Sequence, residues 1–368
     1  VSTNGPERID AGILHAMDEL EGDGHTCSGR QDLIDKAVGV LEVHPAEVSS
    51  RLDALKSSAD LVECEPEVFQ QPSTARAEQV TAQSLGKLLA APSCLPPILR
   101  DKAVDWAQGK AGFGFAAEQA EGLKTALSSK VSILTGGPGT GKTTILQALV
   151  AILKAKKVRV QLTAPTGRAS RRMAETTSHF SQTVHRLLQF DPSAGGFTAN
   201  ENKPLSCDFV VMDEASMLDV RLAAALVRAI PAQAHLLLVG DADQLPSVGS
   251  GNVLKDLIES GQIPVTRLQV TFRQKEDSGI VGTAHGILAG RTACPTPIDD
   301  PALLDPALDV HFVRALDPDA CVDAVCRLCR DVLPRKLQLS SFQDVQVLAP
   351  LHRGIAGISN LNDKLREA

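Results

Sequence analysis

Apolar residues recur at helical spacing along the first part of the chain. Ile13, Leu14, Met17 and Leu20 share one face; Leu33, Ile34, Ala37, Val38 and Leu41 share a second; Val48, Leu52, Leu55 and Ala59 share a third. A turn is expected at Gly22–Gly29, a link at Pro66–Pro72 and a further helix at Thr74–Ala90, broken by Pro92, Pro96 and Pro97. From Phe115 the pattern changes to short apolar runs separated by helical ones. Val131–Thr135, Val158–Ala164, Phe209–Asp213 and His235–Gly240 read as buried strands, with a helix over Thr143–Lys154. Apolar strands alternating with helices predict a parallel sheet covered on both faces. Phe190–Cys207 lacks a helical period and holds Asp191-Pro192, Gly195-Gly196 and Asn200, which predicts a hairpin extruded from that sheet. Beyond it, residues 277–290 and Ala320–Leu333 read as helices, Cys294–Pro306 as loop, and Val310–Val313 and Val345–Ala349 as strands.

The expectation is therefore a small all-α module over 1–110, an α/β domain over 111–271 with a hairpin inserted at 190–207, and the start of a second α/β domain over 272–368. With 43% hydrophobic and 22% charged residues, the 368-residue chain is of ordinary globular composition, which excludes disorder and collagen. The longest apolar stretch, Ala232–Gly240, is too short for a membrane helix. A net charge of −7 leaves room for a nucleic-acid partner, because a few cations in a groove can hold phosphates on an otherwise acidic surface. The chain opens at Val1 rather than Met, so its beginning is expected to lie outside this sequence. Scattered cysteines and no secretory apolar region predict reduced thiols in a cytosolic protein.

The strongest chemical signal is Gly136-Gly137-Pro138-Gly139-Thr140-Gly141-Lys142-Thr143, followed by Thr144. A glycine loop between a strand and a helix turns backbone N–H groups onto a phosphate, and the helix N-terminus adds positive potential. Lys142 is positioned for β- and γ-phosphates, and the Thr143 hydroxyl for Mg²⁺. Asp213 and Glu214 close the apolar run Val210–Met212. Paired acids at a strand end also occur as helix caps. Beside a glycine loop they read as a Mg²⁺ holder (Asp213) and an activator of the attacking water (Glu214). Gln244, after the third strand, is a candidate γ-phosphate sensor, and Arg273 a candidate stabiliser of transferring charge.

These blocks, in this order, resemble the superfamily 1 helicases of the RecD-like branch (superfamily 1B). The matching residues are Gly136–Thr144, Thr163–Ala169, Thr183–Leu188, Asp213–Ser216, Gly240–Pro246 and Thr271–Gln274, with Val347–Pro350, His352–Gly354 and Asn360–Asn362 beyond them. The resemblance implies P-loop NTPase architecture with two RecA-like domains, ATP and Mg²⁺ as ligands, and 5′-to-3′ movement on single-stranded DNA with separation of duplex at single-/double-strand junctions. It implies an adenine contact for Gln119 and strand contacts for Thr163, Pro165, Thr166, Arg168, His185, Phe197, His352 and Arg353. It also places a strand-splitting pin at Phe190–Cys207, and it likens the N-terminal module to the extension of stand-alone RecD-like proteins. A monomer in the bacterial cytosol or nucleoid, without a membrane partner, goes with it.

Arg171 and Arg172 follow Arg168 and stay undecided between solvent and nucleic acid. Phe180, Phe197 and Trp106 are the available stacking platforms in a chain with 3% aromatic residues and no tyrosine, and core packing competes for each. Cys321, Cys326 and Cys329 have a metal-like spacing but lie among apolar residues at helical period, which favours buried small hydrophobes.

Overall fold

A computed structural model of the chain describes residues 5–193, 195–270, 278–291, 295–340 and 344–367. The chain divides into two units, Val1–Phe272 and Arg273–Ala368.

The first unit opens with helices Pro6–Gly22, Arg30–Leu41 and Pro45–Ser57. Their predicted faces close on one core in which Ile13, Met17, Leu33, Leu52 and Phe69 are buried. Three short antiparallel strands, Ser28–Gly29, Val62–Glu65 and Val68–Gln70, add a small sheet to this helical module, the third of them within the expected link. Val62-Glu63-Cys64-Glu65 does alternate apolar and polar residues, but over four positions only, too short a run to stand out beside the helical patterns around it.

The helix Pro72–Ala90 then lies on the main sheet, contributing Ala77, Leu85 and Leu88 to its core. That sheet has six parallel strands in the order Val265–Leu268, Val131–Gly136, His235–Gly240, Phe209–Met212, Val160–Ala164 and Ser181–Thr183. Alternate side chains serve the two faces, as the pleat requires. Ile133, Val210, Met212, Leu236 and Leu238 pack with helix Val220–Ala229, whereas Leu134, Val211, Leu237 and Val239 pack with helix Lys142–Ala155. The result is an α/β, RecA-like parallel sheet preceded by the helical module. The outer strands Val265–Leu268 and Ser181–Thr183 are additions to the sequence reading. The first alternates buried and exposed residues at a sheet edge, a weaker signal than the fully buried strands give. The hairpin pairs Phe190–Asp191 with Gly196–Phe197, and the chain then returns to the core through Leu205 and Cys207.

The second unit holds helices Gly279–Leu288, Pro318–Arg327 and Ile358–Glu367 and a parallel pair, Pro297–Ile298 with Phe312–Val313. Val322, Cys329, Val332 and Leu361 are buried there, while Cys321 and Cys326 are half-buried. Val345–Ala349, expected as a strand, is irregular, and Leu348 is 86% exposed. No strand among the described residues pairs with it, and an apolar run without a ladder partner has no reason to extend.

Candidate nucleotide site

The glycine loop follows strand Val131–Gly136 and runs into helix Lys142–Ala155. Gly139 (φ 83°) and Gly141 (φ 85°) occupy the left-handed region, which admits glycine without strain. A Cβ on Gly136 would lie 2.7 Å from the Leu268 carbonyl oxygen and 2.9 Å from Thr140 Oγ1, so the turn passes too close to the edge strand for a side chain. The buried Thr140 hydroxyl donates to the Gly137 carbonyl (2.9 Å). Gln119, also buried, donates from Nε2 to the Thr140 carbonyl (3.3 Å) and accepts the Ala116 N–H (3.1 Å). Its amide, which the resemblance directs at adenine, thus braces the loop at one end and caps its own helix at the other. Pro138 is exposed; Thr143 and Thr144 stand half-buried in the first helical turn. Lys142 Nζ turns back onto the carbonyls of Gly136 and Gly137, 2.9 Å from the latter.

Strand register brings the acids to the same level. Met212 lies opposite Leu238, and Leu238 opposite Ile133, so Asp213, Asp241 and the glycine loop all leave the sheet at its carboxyl edge. Open α/β sheets receive ligands at that edge. Asp213 donates its N–H to the Thr163 carbonyl (2.9 Å), and its Oδ1 accepts the N–H of Glu214 (3.0 Å). Burial, then the Glu214 charge, pushes the Asp213 carboxyl up to about 6, with Lys142 and Arg172 opposing. Burial pulls the Lys142 ammonium down, against the attraction of Asp241, Glu214 and Asp213. Glu214 itself adopts φ 54°, a left-handed conformation that costs on the order of 1–3 kcal/mol for a non-glycine residue and marks sites held strained by their surroundings.

A half-buried carboxylate at the carboxyl edge and a threonine hydroxyl in the first turn after the glycine loop are hard-oxygen donors of the kind Mg²⁺ takes. The residues fit the metal: Asp213 and Thr143 would hold it.

Residues 119–250 match a family described as an AAA domain. The chain is 32% identical over 376 residues to the ATP-dependent RecD2 DNA helicase of Deinococcus radiodurans, a match covering 98% of this chain and 49% of that protein. It is 37% identical over 198 residues to the RecBCD enzyme subunit RecD of Mycolicibacterium smegmatis, covering 47% of this chain and 36% of that one. The figure for the corresponding subunit of Haemophilus influenzae is 34% over 174 residues, covering 41% and 27%. This is a helicase-like chain related to the RecD proteins. It spans about half the length of its Deinococcus relative.

The strand-contact candidates fall in different settings. Thr163 is wholly buried, and its hydroxyl donates to the Gln182 carbonyl (3.0 Å), so that group is taken up inside the sheet. Thr166 caps helix Gly167–Thr177 by accepting the Ala169 N–H (3.2 Å); Pro165 is half-buried beside it, and Arg168 is exposed in the first turn. His185 is exposed and meets both hairpin rings, Phe190 at 6.0 Å and Phe197 at 5.6 Å between centroids. Phe197 is half-buried against the core, and Phe190, not singled out in the sequence, is the more open ring at 48% exposure. Gln244 is exposed on the loop after Asp241. His352 and Arg353 are exposed in the second unit. Arg273 lies outside the described residues.

Two residues stand closer to the nucleotide site than the sequence reading places them, which leaves Asp241 as a possible turn cap and Arg172 undecided. Asp241, whose position after Gly240 equally suits a turn cap, is 5% exposed and attracts Lys142. Arg172 sits one turn beyond Arg168 and acts on both Lys142 and Asp213. The i, i+4 spacing from Arg168 was the available signal.

Proposed function

We propose that the protein is an ATP-driven DNA helicase or translocase that moves 5′ to 3′ on single-stranded DNA and separates duplex at junctions. The convergence of Lys142, Asp213, Glu214 and Asp241 at the carboxyl edge of one parallel sheet carries this reading. The glycine loop and Lys142 bind and orient the triphosphate. Asp213 and Thr143 would hold Mg²⁺, which would supply positive charge to the triphosphate. Glu214 orients the attacking water and takes its proton, and Gln244 reports the γ-phosphate to the following loop. Arg273 supplies a further cation. Pro165, Thr166, Arg168 and His185 form the strand-facing rim of the first unit; His352 and Arg353 are strand contacts belonging to the second. Backbone contacts suit a motor that must release and grip again on any sequence. The Phe190–Phe197 hairpin serves as the pin.

A tailed-duplex assay on the full-length protein tests this. Unwinding of a 5′-tailed but not a 3′-tailed substrate is expected. DNA-stimulated hydrolysis without strand release would instead indicate a translocase on DNA or RNA, and hydrolysis that nucleic acid does not stimulate a nucleotide-gated clamp or loader.

A further inference from the structure

The two segments that leave the nucleotide site, 214–221 after the acid strand and 241–252 after the sensor strand, do not end in solvent. Both run to one turn of the N-terminal module. Arg221 Nη2 donates to Glu21 Oε2 (2.8 Å), to Ser73 Oγ (3.1 Å) and, at 3.5 Å, to Thr74 Oγ1. Thr74 Oγ1 in turn donates to the other Glu21 oxygen. The Glu21 side chain is 11% exposed, so its charge is largely removed from water and depends on these partners. Three residues on, the Gly24 carbonyl accepts the N–H of Gly251 (3.0 Å). Gly251 has φ 96°, and a Cβ there would lie 3.2 Å from Thr26 Cγ2 and 3.3 Å from Val220 Cβ, so glycine is what lets the three segments meet.

The two segments are also tied to each other. Val220 donates its N–H to the Ser250 carbonyl (3.0 Å), and the Ser247 hydroxyl bridges the carbonyls of Gly249 (2.8 Å) and Gly251 (2.9 Å). Between the module's turn and the 246–252 loop lies a cleft of 220 Å³, bordered by His25, Pro246 and Val248.

Resting on the nucleotide reading above, we propose that the N-terminal module is a positioning element for hydrolysis. Its Glu21–Thr26 turn, through Arg221 and Gly251, holds the segments that carry Glu214 and Gln244. A change of nucleotide state at those residues is felt by the module, and by linkage the module biases them in return. Glu21 and Arg221 are positioning residues, since neither reaches the reacting atoms.

Hydrogen–deuterium exchange on the full-length protein tests this in two arms. Without nucleotide, Arg221→Ala is expected to speed amide exchange across 214–220 and 245–252 by about fivefold or more, with Arg221→Lys restoring the slower rate. Unchanged exchange in Arg221→Ala overturns the proposal. With Mg²⁺ and adenylyl imidodiphosphate added to the unmodified protein, protection is expected at 137–142 together with altered exchange at 21–26. Protection at 137–142 with no change at 21–26 overturns the proposal. Absence of protection at 137–142 overturns the nucleotide reading instead, and the first arm still decides whether the module holds the loops. In steady-state hydrolysis Arg221→Ala should lower kcat by about fivefold with KM little changed; a rise in KM at constant kcat contradicts positioning.

Discussion

The two edges of the six-stranded sheet treat buried polar groups differently. At the amino edge most of them are partnered, Ser132 Oγ in strand Val131–Gly136 being the exception among the described residues. His235, 1% exposed, faces Ser93 Oγ at 2.7 Å and the Ser129 carbonyl at 2.8 Å, and stacks on Phe209. The more exposed cations there are partnered as well, Lys130 by the carbonyls of Ala232 and Pro92 and Arg159 by Asp208. At the carboxyl edge Asp213 is half-buried beside a second carboxylate, Lys142 folds onto backbone carbonyls, Glu214 holds a strained φ, and Ser216 Oγ is buried without a hydrogen-bond partner among the described residues. Satisfied burial stabilises a sheet, while incompletely compensated burial at the ligand edge keeps binding groups ready at a cost in stability.

The most drastic way to break this contrast is at the carboxyl edge. Glu214→Gln should retain Mg-ATP binding and reduce turnover by about 10²–10⁴-fold, measured by steady-state hydrolysis beside equilibrium binding; loss of binding would show that Glu214 holds the ligand rather than activating water. Lys142→Ala should lower turnover by about 10²-fold or more, because the phosphate cradle loses its cation.

Asp213→Asn should do the opposite to stability. The Asp213 carboxyl titrates near 6 in the fold and lower when unfolded, so the folded state holds the extra proton between about pH 4 and 6. Stability from this site is present below that window and lost as pH rises through it. Above pH 6 the nucleotide-free Asp213→Asn protein should be more stable by up to about 3 kcal/mol, with the gap closing towards pH 4. Urea denaturation across pH reads this directly, and a gap independent of pH would refute it.

At the amino edge the sign reverses. Burial holds the His235 imidazole below its ordinary value, so it favours the neutral ring. Its contribution is full above about pH 6.5 and falls as pH drops, because the unfolded chain takes up the proton first. His235→Asn should flatten this slope and cost about 1–3 kcal/mol at pH 7.5, while hydrolysis stays close to that of the unmodified protein.

Much of the carboxyl edge was legible because its chemistry restricts residue choice. Only glycine suits φ near 85° at positions 139 and 141, and the acids stand one step past a fully buried strand. The strands Val131–Gly136 and His235–Gly240 were readable from unbroken apolar runs. What escaped depends on tertiary neighbours. Arg172 acquires meaning from the packing of helix Gly167–Thr177 on helix Lys142–Ala155. Gln119 and Thr163 carry the residue types expected of ligand contacts, yet their polar groups engage the Thr140 and Gln182 carbonyls, which spacing cannot reveal. The strand expected at Val345–Ala349 failed for a related reason, since β-propensity makes a strand where a neighbour supplies the ladder.

Fluorescence titration of the full-length protein with a labelled ATP analogue, with and without Mg²⁺, tests the central claim most directly. Binding should depend on Mg²⁺, weaken sharply in Lys142→Ala, and lose most of its Mg²⁺ dependence in Asp213→Asn. Equal affinity in all three proteins, with or without the metal, would mean that the triphosphate does not sit between the glycine loop and the acids.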